Sequence, residues 1–403
     1  MSAPVLDMAR SAEAGDSDFA AGGLVPTSRL VRQEVALGLV RELVPSSELI
    51  GLKYAPMKEI KADDFVIKLA NGTSTRMAPA RADDAESELF QHDDFLPGEY
   101  RGRTVDWALK SKYNTSDINT HRDAIKAAEQ LRDSGVSYPF VDVTVSDLNE
   151  RIAEETTMRR EALDMRLNWL CMESLVNAAV AYNDGKIKFA VNWGRPAAQH
   201  LFAPASGTYA ADTHDPIGDI QAIKTDARRR YGITLREAIC SQEYLDSFWT
   251  SAKFRLMAMG TAGVGAEASD LPYIVPGWGP DSAIEMVSRV TGIKFTVHDS
   301  VYRTRAIGSQ TFVNNRWFPV DNVLFLPDES EINAFDGTGL GLGKMLTSPH
   351  VAGNNTPGFY AWEKDYGQDP WGYALGTGIK AFPVFPHMEL TYNMKVTLPT
   401  WTL

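Results

Sequence analysis

The densest chemical suggestion in the chain is Gly337-Thr338-Gly339-Leu340-Gly341-Leu342-Gly343-Lys344. A Gly-rich run ending in Lys can wrap a phosphate: bare backbone N–H groups approach the oxygens and the ammonium neutralises them. The Walker spacing needs Gly five residues before Gly343 and Ser or Thr after Lys344. Thr338 and Met345 stand there instead. The dinucleotide pattern fails too, so the run reads as a flexible loop. Gly263-Val264-Gly265 with Ala268 meets the looser dinucleotide form, but a helix-like segment precedes it where a strand is needed.

The other reactive residue types are scattered. None of the seven histidines forms His-Glu-x-x-His or a His/Cys cluster at zinc spacing. His92-Asp93-Asp94 and His214-Asp215 could hold a divalent ion, but they read better as solvated polar residues. Cys171 and Cys240, each beside apolar neighbours, read as inert buried thiols. Gly-x-Ser-x-Gly is absent, so a hydrolase nucleophile elbow has no support. No two carboxylates stand out as an acid/base couple. Basic residues are not interleaved with aromatics as in nucleic-acid readers. The sequence thus predicts no catalytic, cofactor-binding or metal residues.

Composition is ordinary for a globular protein. The chain has 403 residues, room for two or three domains, with 44% apolar and 23% charged residues. The net charge of −12 disfavours tight non-specific nucleic-acid binding. Two cysteines in this length do not make a disulfide framework. No run approaches the roughly 18 apolar residues of a membrane span, and the first residues lack the apolar core of a signal peptide.

The elements that would position any site follow from periodicity. Residues 1–25, rich in Ala, Ser, Gly and Asp, read as a flexible arm. Val31, Val35, Leu39 and Leu43 predict a helix within 26–50, with Ser28 as its cap and Pro45 as its stop. Phe65 to Leu69 reads as a strand, Asn71-Gly72 as a hairpin turn, and Thr73 to Met77 as the return strand. Seven carboxylates and no Lys or Arg follow between Asp83 and Glu99, then a stretch from Arg101 to Arg132 where the balance tips basic. These blocks are either two solvated faces or complementary surfaces between copies.

Residues 144–182 carry the strongest signal. Val145, Leu148, Ile152, Leu163, Leu167, Leu170 and Ala178 fall on one helical stripe, and Asn183-Asp184-Gly185 is the expected stop. Such a helix would be a rod of roughly 57 Å. Its charged middle (Glu154, Glu155, Arg159, Arg160, Glu161) predicts a face turned to solvent or to another subunit. A strand is expected over 187–193. Helices are expected over 215–231, 235–248, 251–259 and 282–290. Strands are expected over 293–298 and 323–326, a strand end over 273–276, and a hairpin over 311–318. Residues 336–380 read as a Gly- and aromatic-rich loop region, and 388–396 as a closing strand.

In their order these elements resemble a tailed-bacteriophage major capsid protein of the HK97-type fold, nearest the lambda-type major head protein family. The resemblance rests on several segments. They are the arm, the hairpin around Asp64 to Pro79, the long helix, the strand Lys186 to Trp193, Asp215-Pro216-Ile217-Gly218-Asp219-Ile220 and Tyr231 to Ser241. Val297 to Tyr302, Arg316 to Pro327, and the Gly-rich stretch with Trp362 and Asp369-Pro370 complete it. The fold it implies is α+β. Residues 1–50 would be the N-terminal arm and 51–110 the extended hairpin, or E-loop. Residues 111–210 would be a peripheral domain with spine helix 144–182, 211–335 an axial domain, and 336–403 a loop and closing strand of the peripheral domain.

The implied function is a shell of hexamers and pentamers around double-stranded DNA, in the virion, assembled in the host cytoplasm. The implied partners are further copies, a portal and a decoration protein. The arm is too short for the scaffolding extension of the HK97 prototype, which implies a separate scaffolding protein or none. DNA would be enclosed without sequence-specific contacts, and no membrane is involved. Intersubunit contacts would fall on Lys68, Asn71, Gly72, Arg76, Asp83, Asp84, Arg101, Arg103, Arg159 and Arg160. Some shells of this type crosslink Lys to Asn, and Lys68 and Asn71 lie in the hairpin. The alternatives are an encapsulin-like nanocompartment shell, a soluble α/β enzyme such as a metal- or carboxylate-assisted hydrolase, and a carbohydrate- or peptide-binding module built on 336–380.

Overall fold

The computed structural model describes residues 31–68, 99–114, 146–184, 187–258, 280–305, 311–335, 339–368 and 371–399. The chain starts with helices α1 (Gln33–Glu42) and α2 (Ile50–Tyr54), then strands β1 (Met57–Glu59), β2 (Asp64–Lys68), β3 (Glu99–Arg103) and β4 (Val105–Asn114). Helix α3 (Ser146–Asn177) leads into the hairpin β5 (Ala179–Asn183) and β6 (Lys188–Asn192). Next come α4 (Pro216–Tyr231), β7 (Leu235–Cys240), α5 (Gln242–Asp246), α6 (Ala252–Ala258) and α7 (Pro280–Thr291). They are followed by β8 (Lys294–Val297), β9 (Val301–Arg305), β10 (Phe312–Arg316), β11 (Asn322–Pro327) and α8 (Glu329–Phe335). The last elements are β12 (Lys344–Thr347), β13 (Phe359–Gln368), β14 (Trp371–Val384) and β15 (Tyr392–Lys395).

Two packed bodies of sheet and helix organise these elements. In the first, β14 is the central strand. β4 pairs along one of its edges, and β13 and then β12 along the other, with β1 outside β12. Helix α3 lays Leu163, Leu167 and Leu170 into a core shared with Ile379, Phe382 and Val384 of β14. In the second, the sheet order is β15-β11-β7-β8. Helix α4 covers it with Ile217, Ile220, Ile223 and Ala227, against Leu235, Ala238, Val323 and Phe325. The start of α4 follows the expected chemistry: Asp215 accepts from the Gly218 N–H at 3.0 Å and Pro216 occupies the first turn.

Several expectations are corrected. Helix α3 has 32 residues, a rod of roughly 48 Å, and it stops at Asn177 because the chain turns at Ala178 with φ +49°. Arg195 seals that end, donating to Leu175 O at 2.6 Å and Val176 O at 2.8 Å. Cationic donors suit the negative end of a helix. Asn183-Asp184 belongs instead to the β5–β6 turn, where Asp184 Oδ1 accepts from the Ile187 N–H at 2.7 Å. The helix expected over 235–248 is strand β7 followed by α5. β7 is flanked by β11 and β8, and Ser241 caps α5 by accepting from the Tyr244 N–H. A short apolar run between two sheet neighbours cannot be told from a helix by periodicity alone.

In α1 the buried residues are Ala36, Leu37 and Val40, whereas Val35 is exposed. Its flanking residue is Arg32, with no side-chain cap; Ser28 lies outside the described residues. The run 311–318 supplies only β10, whose partner is β9. The strand end expected over 273–276 lies outside the described residues. The region 336–380 contains β13 and most of β14, at 14 residues the longest strand among the described residues. Its glycines disguised it, because glycine is depleted in strands. Here Gly376 and Gly378 leave room for the rings of Trp362 and Tyr360 to lie across the sheet. The closing strand is shorter than expected, and β15 pairs with β11 in the second body.

Candidate intersubunit surfaces

The turn expected at Asn71-Gly72 lies outside the described residues. β2 pairs with β3, Lys68 opposite Glu99 and Phe65 opposite Gly102, so the partner of β2 among the described residues is 99–103. Thr73 to Met77 lies outside the described residues, as do Asn71, Gly72, Arg76, Asp83 and Asp84. A tight-turn signal gives local geometry and does not say which later segment supplies the partner strand. The ribbon docks on its own subunit at this base. Ile67 is buried, and the Phe65 and Phe382 rings lie 6.1 Å apart. Gly102 lies directly beneath the Phe65 ring, and a Cβ there would meet it at 2.5 Å.

A polar anchor just before β2 fixes that base. Lys380 Nζ of β14 donates to Asp63 Oδ2 at 2.9 Å, and Ser348 Oγ donates to Asp63 Oδ1 at 2.8 Å. Thr104 Oγ1 lies 2.8 Å from Ser348 Oγ, and the Thr104 N–H donates to Asp63 O at 3.0 Å. Arg103 lies 3.7 Å from both Asp63 and Asp64 and is largely exposed. The sequence reading missed this cluster, since nothing local links Asp63 to residues 348 and 380.

The Lys380 hydrogen bond, aided by the Ser348 hydroxyl, holds the Asp63 carboxyl below its usual range. A carboxyl depressed in the folded state stabilises above its unfolded pKa of about 3.9 and loses that contribution as pH falls through its folded value. As pH falls below the unfolded carboxyl pKa of about 3.9, the native subunit should lose more stability than Asp63→Asn. Chemical unfolding of the unassembled subunit across that range measures it. Parallel acid limbs for the two proteins would refute the anchor.

Arg101 and Arg103 share one face of β3 by their alternate spacing, beside the β2 strand that ends in Lys68. The structure therefore brings these three onto one small ribbon. Arg159 and Arg160 are elsewhere, and the expectation that they face another copy is corrected: both are buried within their own subunit. Arg159 donates to Ser111 Oγ at 2.6 Å and Thr156 Oγ1 at 2.7 Å. Arg160 donates to Val40 O at 3.1 Å, pairs with Asp164, and lies 3.4 Å from the centre of the Phe359 ring. Burial lowers its pKa to about 10. A charged middle of a helix looks solvated in sequence; here the sheet and α1 enclose it.

Candidates for chemistry resolve into structural roles. His214 is buried, with Nε2 3.1 Å from Ser247 O and Nδ1 close to Ala211 O, and Asp215 pairs with Lys253 at 3.1 Å while capping α4. The solvated reading of His214 is thus corrected. Burial pushes the Cys171 and Cys240 thiols well up, so neither is nucleophilic. Among the described residues no three His, Cys, Asp or Glu side chains group as metal ligands, and no helix is long and apolar enough to cross a membrane.

Comparison with known proteins bears on the whole arrangement. A family model described as phage major capsid protein E matches residues 121–337, more than half of the chain. In fold the chain is similar to a protein assigned as the capsid protein of a prophage of E. coli CFT073, with a TM-score of 0.53 and 14% identity over 91% of this chain and 99% of that one. It is also similar to a phage-related protein from Bordetella bronchiseptica RB50, with a TM-score of 0.48 and 14% identity over 91% and 98%. No curated protein sequence matches the chain.

Proposed function

Because this chain belongs to the phage major capsid protein E family, we propose that its copies close, as hexamers and pentamers, into an icosahedral shell around double-stranded DNA. It is a shell-forming capsid protein with an α+β fold of the HK97 type, a component of the virion with a structural role. The family match carries this conclusion and does not favour the enzyme and binding-module alternatives.

Within that shell the body around β7 and β11 is the axial part, and α3 with the β14 sheet is the peripheral part. The excursion between β2 and β3 lies across a neighbour, which satisfies strand edges that one subunit leaves open. Lys68, Asn71, Gly72, Arg76, Asp83, Asp84, Arg101 and Arg103 then fall on or beside that contact. The net charge of −12 suits a wall that should not adhere to packed phosphates. A portal, a separate scaffolding protein and a decoration protein complete the assembly in the host cytoplasm.

Sedimentation velocity with negative-stain imaging tests this reading. The expected result is closed particles, sheets or tubes sedimenting far above the 44.4 kDa subunit. A single subunit-sized species at every concentration, with no particles in images even when the protein is made together with a scaffolding protein, would overturn it.

A further inference from the structure

His214 is fully buried in the second body, and the groups around its ring call for a charge there. Nδ1 lies close to Ala211 O, and Nε2 lies 3.1 Å from Ser247 O. Both partners are backbone carbonyls, which accept hydrogen bonds and cannot donate them. A neutral imidazole carries one N–H and one bare nitrogen, so one of the two contacts would set a lone pair against a lone pair. Only the imidazolium donates to both. Ser247 O also accepts from Thr250 Oγ1 at 2.6 Å, which a carbonyl with two lone pairs allows.

The face of the ring and its charged neighbours agree. The Tyr209 ring stacks on it with 4.5 Å between centres. An aromatic face is negative and favours a cation above it. The Tyr209 hydroxyl donates to the buried Asp219 carboxyl at 3.2 Å. Asp215 follows His214 in the chain. Against the effect of burial, the Gly218 N–H and Lys253 hold the Asp215 carboxyl below its usual range, so a negative charge stands beside the ring. Beyond Asp215 is Lys253 of α6, paired with it at 3.1 Å. Beyond Tyr209 is Tyr244 of α5, its ring 5.7 Å away. Burial pushes both tyrosine hydroxyls well up, so neither ionises near neutral pH.

The two carbonyls belong to different segments. Ala211 lies before α4, and Ser247 follows α5. The same segments meet around the ring in two further bonds: Ser251 Oγ donates to His214 O at 2.7 Å, and the Ala252 N–H donates to Asp212 O at 2.9 Å. We propose that His214 keeps both ring protons at neutral pH and is a proton-dependent latch between residues 206–215 and 244–252. Losing either proton leaves a bare nitrogen facing a carbonyl in a dry site, a hydrogen bond replaced by a repulsion. The latch lies within one subunit and stands or falls independently of the shell reading.

Ring 15N–1H spectra of the unassembled subunit at about pH 7, with His214 assigned through bonds, test the proposal on the native chain. Protons on both His214 nitrogens are expected. One protonated and one bare nitrogen would overturn it, whether the ring is neutral as placed or turned over. Stability gives a second readout. An unfolded histidine titrates near about pH 6.5. The second proton therefore stabilises the fold fully below that pH, and the contribution falls as pH rises until the folded ring releases it. Relative to His214→Gln, the folding equilibrium constant of the native subunit should fall by up to about tenfold per pH unit above about pH 6.5. Parallel profiles for the two proteins would overturn the latch. If His214→Gln does not fold, the spectra of the native subunit decide.

Discussion

Replacing Arg160 by leucine lowers the stability of the free subunit by about 3–5 kcal/mol. Arg160 and Asp164, one turn apart on α3, are only 4% and 3% exposed and form an ion pair. Removing the arginine leaves a carboxylate without its counter-charge in a dry site, which costs far more than a surface pair is worth. Two further interactions go with it: the hydrogen bond to Val40 O in α1 and the stacking over Phe359 of β13. The side chain thus ties α1 and the sheet to the long helix. Chemical unfolding of the unassembled subunit measures the loss. The double variant Arg160→Leu/Asp164→Leu should recover much of it, because a buried pair can often be exchanged for apolar side chains of similar size. A loss below about 1 kcal/mol for the single variant would mean that the pair is not enclosed as described.

Gly378→Ala is expected to cost about 3 kcal/mol, the upper end of what overpacking usually costs. A Cβ at this position would lie 2.6 Å from the Tyr360 hydroxyl and ring, and 2.9 Å from the Trp107 carbonyl oxygen. Neither neighbour yields easily. Tyr360 is hydrogen-bonded to Asp106, and its ring stacks 3.9 Å from that of His350. The Trp107 carbonyl belongs to β4, which is hydrogen-bonded to β14 itself, so relief requires two strands to part. Gly372 is the control on the same strand. A Cβ there would meet Tyr366 no closer than 3.4 Å, so Gly372→Ala should be nearly neutral. Equal melting temperatures for the two variants would contradict the close packing at Gly378.

The two substitutions mark the boundary between what was legible in the sequence and what was not. The existence of α3 was legible, because Ile152, Leu163, Leu167 and Leu170 repeat at helical spacing over a run without Pro or Gly. The start of α4 was legible too, since Asp-Pro followed by a periodic apolar face is a local device whose chemistry is complete within one turn. The order of such elements was sufficient to suggest the family that the chain proves to belong to.

Non-local features were not legible. Gly376 and Gly378 argue against a strand until Trp362 and Tyr360 are known to lie over them. Arg159 and Arg160 look like a solvated face until α1 and the β14 sheet enclose them. β2 has a turn signal behind it, yet its partner among the described residues is β3. At the candidate surfaces, the identity of Lys68, Arg101 and Arg103 was readable, but the Asp63–Lys380–Ser348 anchor was not.

By itself the sequence determined the elements whose stabilising contacts lie within about one helical turn or one strand repeat, and through their order it determined the family. The tertiary structure alone decided which strand pairs with which, which charges are buried, and where glycine makes room for a ring. Those outcomes depend on groups brought together from distant parts of the chain, where burial and packing outweigh local propensity.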